Sequence, residues 1–278
     1  MDSCRFRRIH SGRDRHRFAE THGLGTRIAC LFWAVAIVLS TALFASAQGT
    51  EQEAARLIKK IDDLYRSDAS QGKLEMEIVT SHWQRTLTME VWTERLEKTF
   101  IRILDPAKER GVATLRIGTE MWNYLPKTNK VIKIPPSMMM SSWMGSDFTN
   151  DDLVKEYTFL DDYDFRLVHP SNEKQGEIYI ECVPKEGRPI VWSRVLIAVE
   201  AETSLPVWQK YFDDRGDLMR TLRYGEIRTF GRRRIPAAME MVPENKPDNR
   251  TTVRYLDLKF DASLPAEVFS LRNLRSRP

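Results

Sequence analysis

Residues able to do covalent or metal chemistry are few and scattered in this sequence. Beyond residue 47 there are two histidines, His82 and His169, and one cysteine, Cys182. A nucleophile needs a base within reach, and neither histidine lies in a recognisable catalytic pattern; no Gly-x-Ser-x-Gly turn occurs either. Zinc wants His and Cys at short, regular spacings, which His82, His169 and Cys182 do not offer. The acidic run Asp151, Asp152, Asp161, Asp162 and Asp164 lacks the alternating ligands and central glycine of a calcium loop, so a solvated face with a helix cap accounts for it better. No glycine-rich phosphate loop follows a strand. What the sequence does concentrate is apolar, adaptable surface. In Ile134-Pro135-Pro136-Ser137-Met138-Met139-Met140-Ser141-Ser142-Trp143-Met144-Gly145-Ser146, two prolines block a strand and four methionines cluster with a tryptophan. Methionine is flexible and polarizable and fits apolar partners of variable shape. Two readings follow: a loop packing its methionines onto a core, or a mobile lid over an apolar cavity.

The elements that must position these residues are legible from periodicity. Thr50-Glu51-Gln52-Glu53 has capping-box spacing, and Leu57, Ile58, Ile61, Leu64 and Tyr65 then mark one apolar face of a helix. From Lys73 the period becomes two. Leu74, Met76 and Ile78 alternate with Glu75, Glu77 and Val79, and Leu87, Met89 and Val91 alternate with Thr88, Glu90 and Trp92. Further strands are expected over 99–104, 112–117, 121–125, 131–134, 177–183, 190–200, 205–212, 218–228, 235–242 and 251–260. Their short connections imply antiparallel neighbours, with Asp213 to Asp217 as a hairpin turn. Thr149 or Asn150 should cap a short helix. Cys182 falls within a strand and reads as an unreactive core residue. The expectation is a mainly β fold with about a dozen strands and a few helices.

Composition sets the compartment. Seven arginines precede an apolar run, Ile28 to Phe44, which ends in Ala45-Ser46-Ala47. That order is expected of a cleavable signal peptide over 1–47, with 48–278 as a single domain. An uncleaved anchor is the alternative, since the apolar run approaches the length of a membrane span. The whole sequence of 278 residues carries 43 basic and 39 acidic side chains; without the leader each total is 36. A neutral mature chain has no electrostatic support for nucleic-acid binding. One cysteine past the leader permits no internal disulfide, so stability must come from burial.

Three further stretches carry a resemblance: Asp105-Pro106-Ala107-Lys108-Glu109-Arg110-Gly111, Met121-Trp122-Asn123-Tyr124-Leu125-Pro126, and Met144-Gly145-Ser146-Asp147-Phe148-Thr149-Asn150-Asp151-Asp152-Leu153. In this order the chain resembles the bacterial outer-membrane lipoprotein-sorting protein family, related in fold to the lipoprotein carriers LolA and LolB. The strand Trp208 to Phe212, the turn Asp214 to Gly216 and the ending Val268 to Leu274 extend the resemblance over the rest of the chain. It implies a curved antiparallel sheet forming an incomplete β-barrel, closed by an α-helical lid, whose apolar interior accepts lipid or lipoprotein acyl chains in the periplasm. It also implies no catalysis and no cofactor, a monomer, and exchange of cargo with an inner-membrane transporter. Candidate cavity residues are Trp92, Phe100, Trp122, Leu125 and Trp143, with Met138, Met139, Met140 and Met144 as lid residues. A single sequence does not fix which face of each strand points inward. A protein–protein adaptor with a side-chain-filled interior is the alternative function.

Overall fold

The computed structural model describes residues 49–276, apart from 96, 156–158 and 189. The expected signal peptide lies outside the described residues. A helix, α1, runs over 49–65. It is followed by strands β1 (Ala69–Val79), β2 (Gln84–Glu94), β3 (Lys98–Asp105), β4 (Ala113–Ile117), β5 (Glu120–Leu125) and β6 (Lys130–Lys133). A single 3-10 turn (Pro136–Met138) and two four-residue helices, α2 (Asp152–Lys155) and α3 (Phe159–Asp162), lead into β7 (Tyr163–Val168). Then come β8 (Glu177–Pro184), β9 (Arg194–Glu200), β10 (Pro206–Phe212), β11 (Leu218–Phe230), β12 (Arg233–Pro243) and β13 (Arg250–Phe260), and a last short helix, α4 (Leu271–Leu274).

The strands form a single antiparallel sheet in the order β6-β5-β4-β3-β2-β1-β13-β12-β11-β10-β9-β8-β7. Every neighbour but one is the next strand in sequence, as the short turns demand; the exception, β1 beside β13, joins the two halves. β6 and β7 are free edges, so the curved sheet does not close. β7 was not expected: its Asp164 and Arg166 sit in the acidic stretch that reads as a solvated segment, yet Tyr163, Phe165 and Leu167 keep the period of two.

Curvature lets strands far apart in the order share one core. Leu74, Met76 and Ile78 of β1, Leu87 and Met89 of β2, and Ile101 and Ile103 of β3 cluster with Ile180 and Cys182 of β8 and Val195, Ile197 and Val199 of β9. Ala54, Leu57 and Ile58 of α1 complete this cluster, with Ile61 against it, the i, i+3, i+4, i+7 stripe of an amphipathic helix. Burial pushes the Cys182 thiol far above its ordinary range.

The opposite face of β3 and β4 is also covered. Phe100, Leu115 and Tyr124 pack there with Phe269 and Leu274 of the C-terminal segment. Arg102 ties that segment down, donating to the Asn273 carbonyl at 2.5 Å and the Ser276 hydroxyl at 3.0 Å. Among the described residues no helix is long and apolar enough to cross a membrane.

β13 carries a bulge opposite β1: Gly72 pairs with Leu258 and Leu74 with Tyr255, so Leu256 and Asp257 share the outer side. A Cβ on Gly72 would lie 2.8 Å from the Asp257 carbonyl oxygen and 3.2 Å from Leu258. Gly72→Ala should therefore cost about 1–3 kcal/mol in urea unfolding, because backbone must shift. Leu87→Ala, removing a fully buried side chain, should cost about 2–5 kcal/mol. Peptide mapping after thiol labelling should find Cys182 unmodified in the native protein and modified in denaturant.

Candidate apolar cavity

A cavity of about 160 Å³ lies against the inner face of the sheet. Strand register explains its walls. Ile101, Val91, Gly72 and Leu258 form one row across β3, β2, β1 and β13, and Thr99, Thr93, Ser70 and Phe260 form the next. In the first row Gly72 is bare, and Leu258 closes against it. Val253 of β13, Met239 and Met241 of β12 and Leu222 of β11 continue the wall across the neighbouring strands. Tyr65 at the end of α1, and Trp143, Phe148, Leu153 and Phe159 from the segment before β7, line the cover. The lining is aliphatic and aromatic except for Asp152 and the hydroxyl row, in which Ser70 and Thr93 share a 2.7 Å hydrogen bond.

Residues 136–155 and 159–162 form turns and two single-turn helices, of which Trp143, Phe148, Asp152, Leu153 and Phe159 reach the cavity; the expected helical lid is not confirmed. Their tethers are polar and reach both arms of the sheet. Trp143 Nε1 donates to Thr114 Oγ1 of β4 at 3.2 Å, and the Asp147 backbone N–H donates to Thr251 Oγ1 of β13 at 2.9 Å. The Thr251 hydroxyl in turn donates to Asp147 Oδ2 at 2.7 Å. Arg85 of β2 donates to the Met144 carbonyl. Asp152 and Thr149 cap α2 reciprocally: the Asp152 N–H reaches Thr149 Oγ1 at 3.1 Å, and the Thr149 N–H reaches Asp152 Oδ2 at 2.7 Å.

The strongest tether is Asp152 to Arg220 of β11. Arg220 donates through both terminal nitrogens, at 2.8 and 2.5 Å, and only 7% of its side chain is exposed. Its guanidinium lies 4.6 Å from the Trp192 ring centre and 4.5 Å from that of Tyr211. Burial works against the charge, but the Asp152 carboxylate more than offsets it and holds the Arg220 pKa above its usual value. The Nε of Arg220 has no hydrogen-bond partner; the aromatic faces are what it meets instead.

The residues expected from the sequence are not all brought together. Trp143 is buried and lines the cavity, and Met144 packs against the main core without lining it. Trp92, Phe100 and Trp122 lie on the opposite face, in the cluster closed by the C-terminal segment, a correction to their expected place in the cavity. Leu125 is exposed on β5, Met138 and Met140 point to solvent, and Met139 is half-buried; none of the four lines the cavity. Large aromatic side chains mark burial but not which face of a strand is buried. The missed signal was strand phase: Trp92 alternates with Val91 and shares the side of Glu90, while Phe100 shares the side of Arg102. The cavity residues Met89, Val91 and Ile101 were on the other phase. Met239, Met241 and Val253 reach the cavity through the pairing of β1 with β13, strands at opposite ends of the sequence, which no local pattern encodes. Among the described residues no three His, Cys, Asp or Glu side chains are grouped to hold a metal ion.

Comparisons with known proteins agree with this architecture. A DUF1329 family protein from Desulfovibrio piger superposes with a TM-score of 0.73 at 21% identity, over 81% of this chain and 99% of that one. A protein domain from Vibrio parahaemolyticus named for outer-membrane lipoprotein sorting gives 0.70 at 17% identity, over 81% of this chain and 100% of that one. A LolA superfamily protein from Nitrosomonas europaea gives 0.66 at 22% identity, over 79% and 98%. At these identities the likeness is one of fold. No curated protein matches the sequence. A family model described as "Uncharacterized protein" matches residues 95–276, most of the folded chain, and the chain belongs to that family, with the LolA-like fold of the three structures above.

Proposed function

We propose that this protein is a non-enzymatic periplasmic carrier that holds lipid or lipoprotein acyl chains between its curved sheet and the 136–162 cover. The observation that carries the reading is the apolar cavity, walled by Leu74, Met89, Val91, Ile101, Met241 and Val253 and roofed by Trp143 and Phe148. Supporting it are the LolA-like fold, the names of two of its structural neighbours, and a leader sequence of the kind that directs export, here over 1–47 with 48–278 as the working domain. Such a carrier exchanges cargo with a transporter in the inner membrane and works as a monomer.

Size decides how the cavity is used. At 160 Å³ it matches a cavity that takes benzene, about six carbon atoms. Six buried methylenes are worth at most roughly 5 kcal/mol, which corresponds to affinity in the range of 0.1–1 mM. Tight carriage of a long chain therefore requires the cover to lift and the cavity to lengthen. Water can satisfy the cover's hydroxyl and backbone contacts when it opens, and contact of Trp143, Phe148 and Leu153 with an acyl chain would offset the loss of their burial. The same small volume favours a second reading, an envelope adaptor whose interior is filled by its own side chains.

Native mass spectrometry with lipid extraction, on protein purified from a bacterial periplasm without detergent, separates the two. Stoichiometric co-purifying acyl lipid or lipoprotein is expected; protein that is repeatedly empty and refuses added acyl chains selects the adaptor. Val91→Phe, which fills the cavity, should weaken binding of a fluorescent fatty acid about tenfold or more. Arg220→Met strands Asp152 and should cost about 3–5 kcal/mol of stability. Asp152→Asn keeps the shape but loses the charge pairing. It should speed probe uptake in stopped-flow measurements, with unfolding still cooperative.

A further inference from the structure

We infer that the hairpin joining β11 to β12 is a docking surface for an anionic lipid bilayer. Its register shows a ribbon that outruns the sheet. β10 pairs with β11 only as far as Arg223, and β13 pairs with β12 only over Ala238 to Met241. Ile227 to Phe230 and Arg233 to Pro236 continue beyond as a two-stranded extension, turned by Gly231 and Arg232 with φ +61° at Gly231. A glycine at the first position of a two-residue turn is what a type II′ hairpin needs.

The ribbon has two unlike faces. Phe230, Ile235 and Ala237 are buried with Leu258, against Tyr65 and Phe260. Arg228 and Arg233 share the side of Phe230 and Ile235, Arg234 shares the other side with Thr229 and Ile227, and Arg232 stands at the tip, with no acid between them. Two have structural work. Arg228 donates to the Tyr255 carbonyl at 2.7 Å, and Arg233 lies 4.2 Å from the Phe260 ring centre and donates to the carbonyls of Asp63 and Arg66 at the end of α1. Arg232 and Arg234 are exposed and make no ion pair or hydrogen bond with the described residues. Of the nearby acids, Glu226 pairs with Arg254 at 2.9 Å, Asp62 and Asp63 pair with Arg66 and Lys59, and Asp261 accepts from Ser67 at 2.8 Å and keeps its charge. On β13, exposed Asp257 is balanced by exposed Lys259. Exposed Ile227 and Leu256, each 41% accessible, flank the arginines.

Unpartnered cations beside exposed aliphatic side chains complement a negatively charged bilayer, where the charges meet phosphates and the aliphatics reach the interface. The position adds a consequence. Arg233 grips Phe260 and the end of α1, and Phe260 and Tyr65 both wall the cavity, so docking here sets that end of the cavity at the membrane. The inference stands on the hairpin and does not depend on what the cavity holds.

The test is co-sedimentation of the purified chain with vesicles of phosphatidylcholine alone and of phosphatidylcholine mixed with phosphatidylglycerol, at low and physiological salt. Preferential binding to the anionic vesicles, weakened by salt, is expected. The double variant Arg232→Gln/Arg234→Gln should lower it roughly tenfold or more. Arg215→Gln, in the turn at the other end of β11, should leave it unchanged, and circular dichroism should show the same fold in every variant. Failure of the parent to bind, equal binding to both vesicle types, or equal binding by parent and double variant would each overturn the inference.

Discussion

An open sheet of thirteen strands, curved until its two arms face each other, leaves an apolar concavity that its own hydrogen bonding cannot close. The rest of the structure depends on how that concavity is covered. The decisive contact is the buried pair between Arg220 and Asp152, for it fixes the cover to the β11 side while Trp143 and Met144 fix it to β4 and β2. A charge buried as deeply as Arg220 is tolerable only with its partner in place and its remaining surface against the Trp192 and Tyr211 rings. The pair therefore ties the stability of the core to the position of the cover.

The two inner covers are built differently. α1 is held by Ala54, Leu57 and Ile58, whose removal would expose apolar surface to water. The 136–162 segment contributes Trp143, Phe148 and Leu153, but its alignment comes from hydroxyl, carboxylate and guanidinium contacts. Polar contacts exchange for water at a net cost near 1 kcal/mol each, whereas burial of a large apolar side chain is worth more. The segment therefore has a mixed attachment: its hydroxyl contacts exchange readily for water, while the buried Arg220–Asp152 pair and Trp143 resist displacement. On the outer face the C-terminal segment covers Phe100 and Leu115, so the aromatics there belong to a second, packed layer.

Much of the fold was legible because strands and helices announce themselves locally. The alternation in Leu74 to Val79 and Leu87 to Trp92, and the helical stripe from Leu57 to Tyr65, survive in the structure nearly residue for residue. The site was less legible. Apolar character marked Trp92 and Phe100, but inward orientation depends on strand phase, and phase placed both outside. β13 shows a subtler obstacle: the bulge at Leu256 and Asp257 puts Tyr255 and Leu258 on the same side, so strict alternation along 251–260 misassigns one end. The Arg220–Asp152 pair joins residues 68 positions apart, and no local pattern encodes it.

The cavity itself carries the last step of the argument. Walls around a space forgo the packing contacts they would make with one another, and the 160 Å³ space is of a size that side chains could fill. Nothing in the backbone forbids filling most of it, since Val91, Met239 and Val253 stand at its wall with room for larger side chains. Gly72 is different, because its bareness is required by the Asp257 carbonyl. The cavity is thus bounded by a backbone constraint at Gly72 on one side and by side chains of adjustable size on the others.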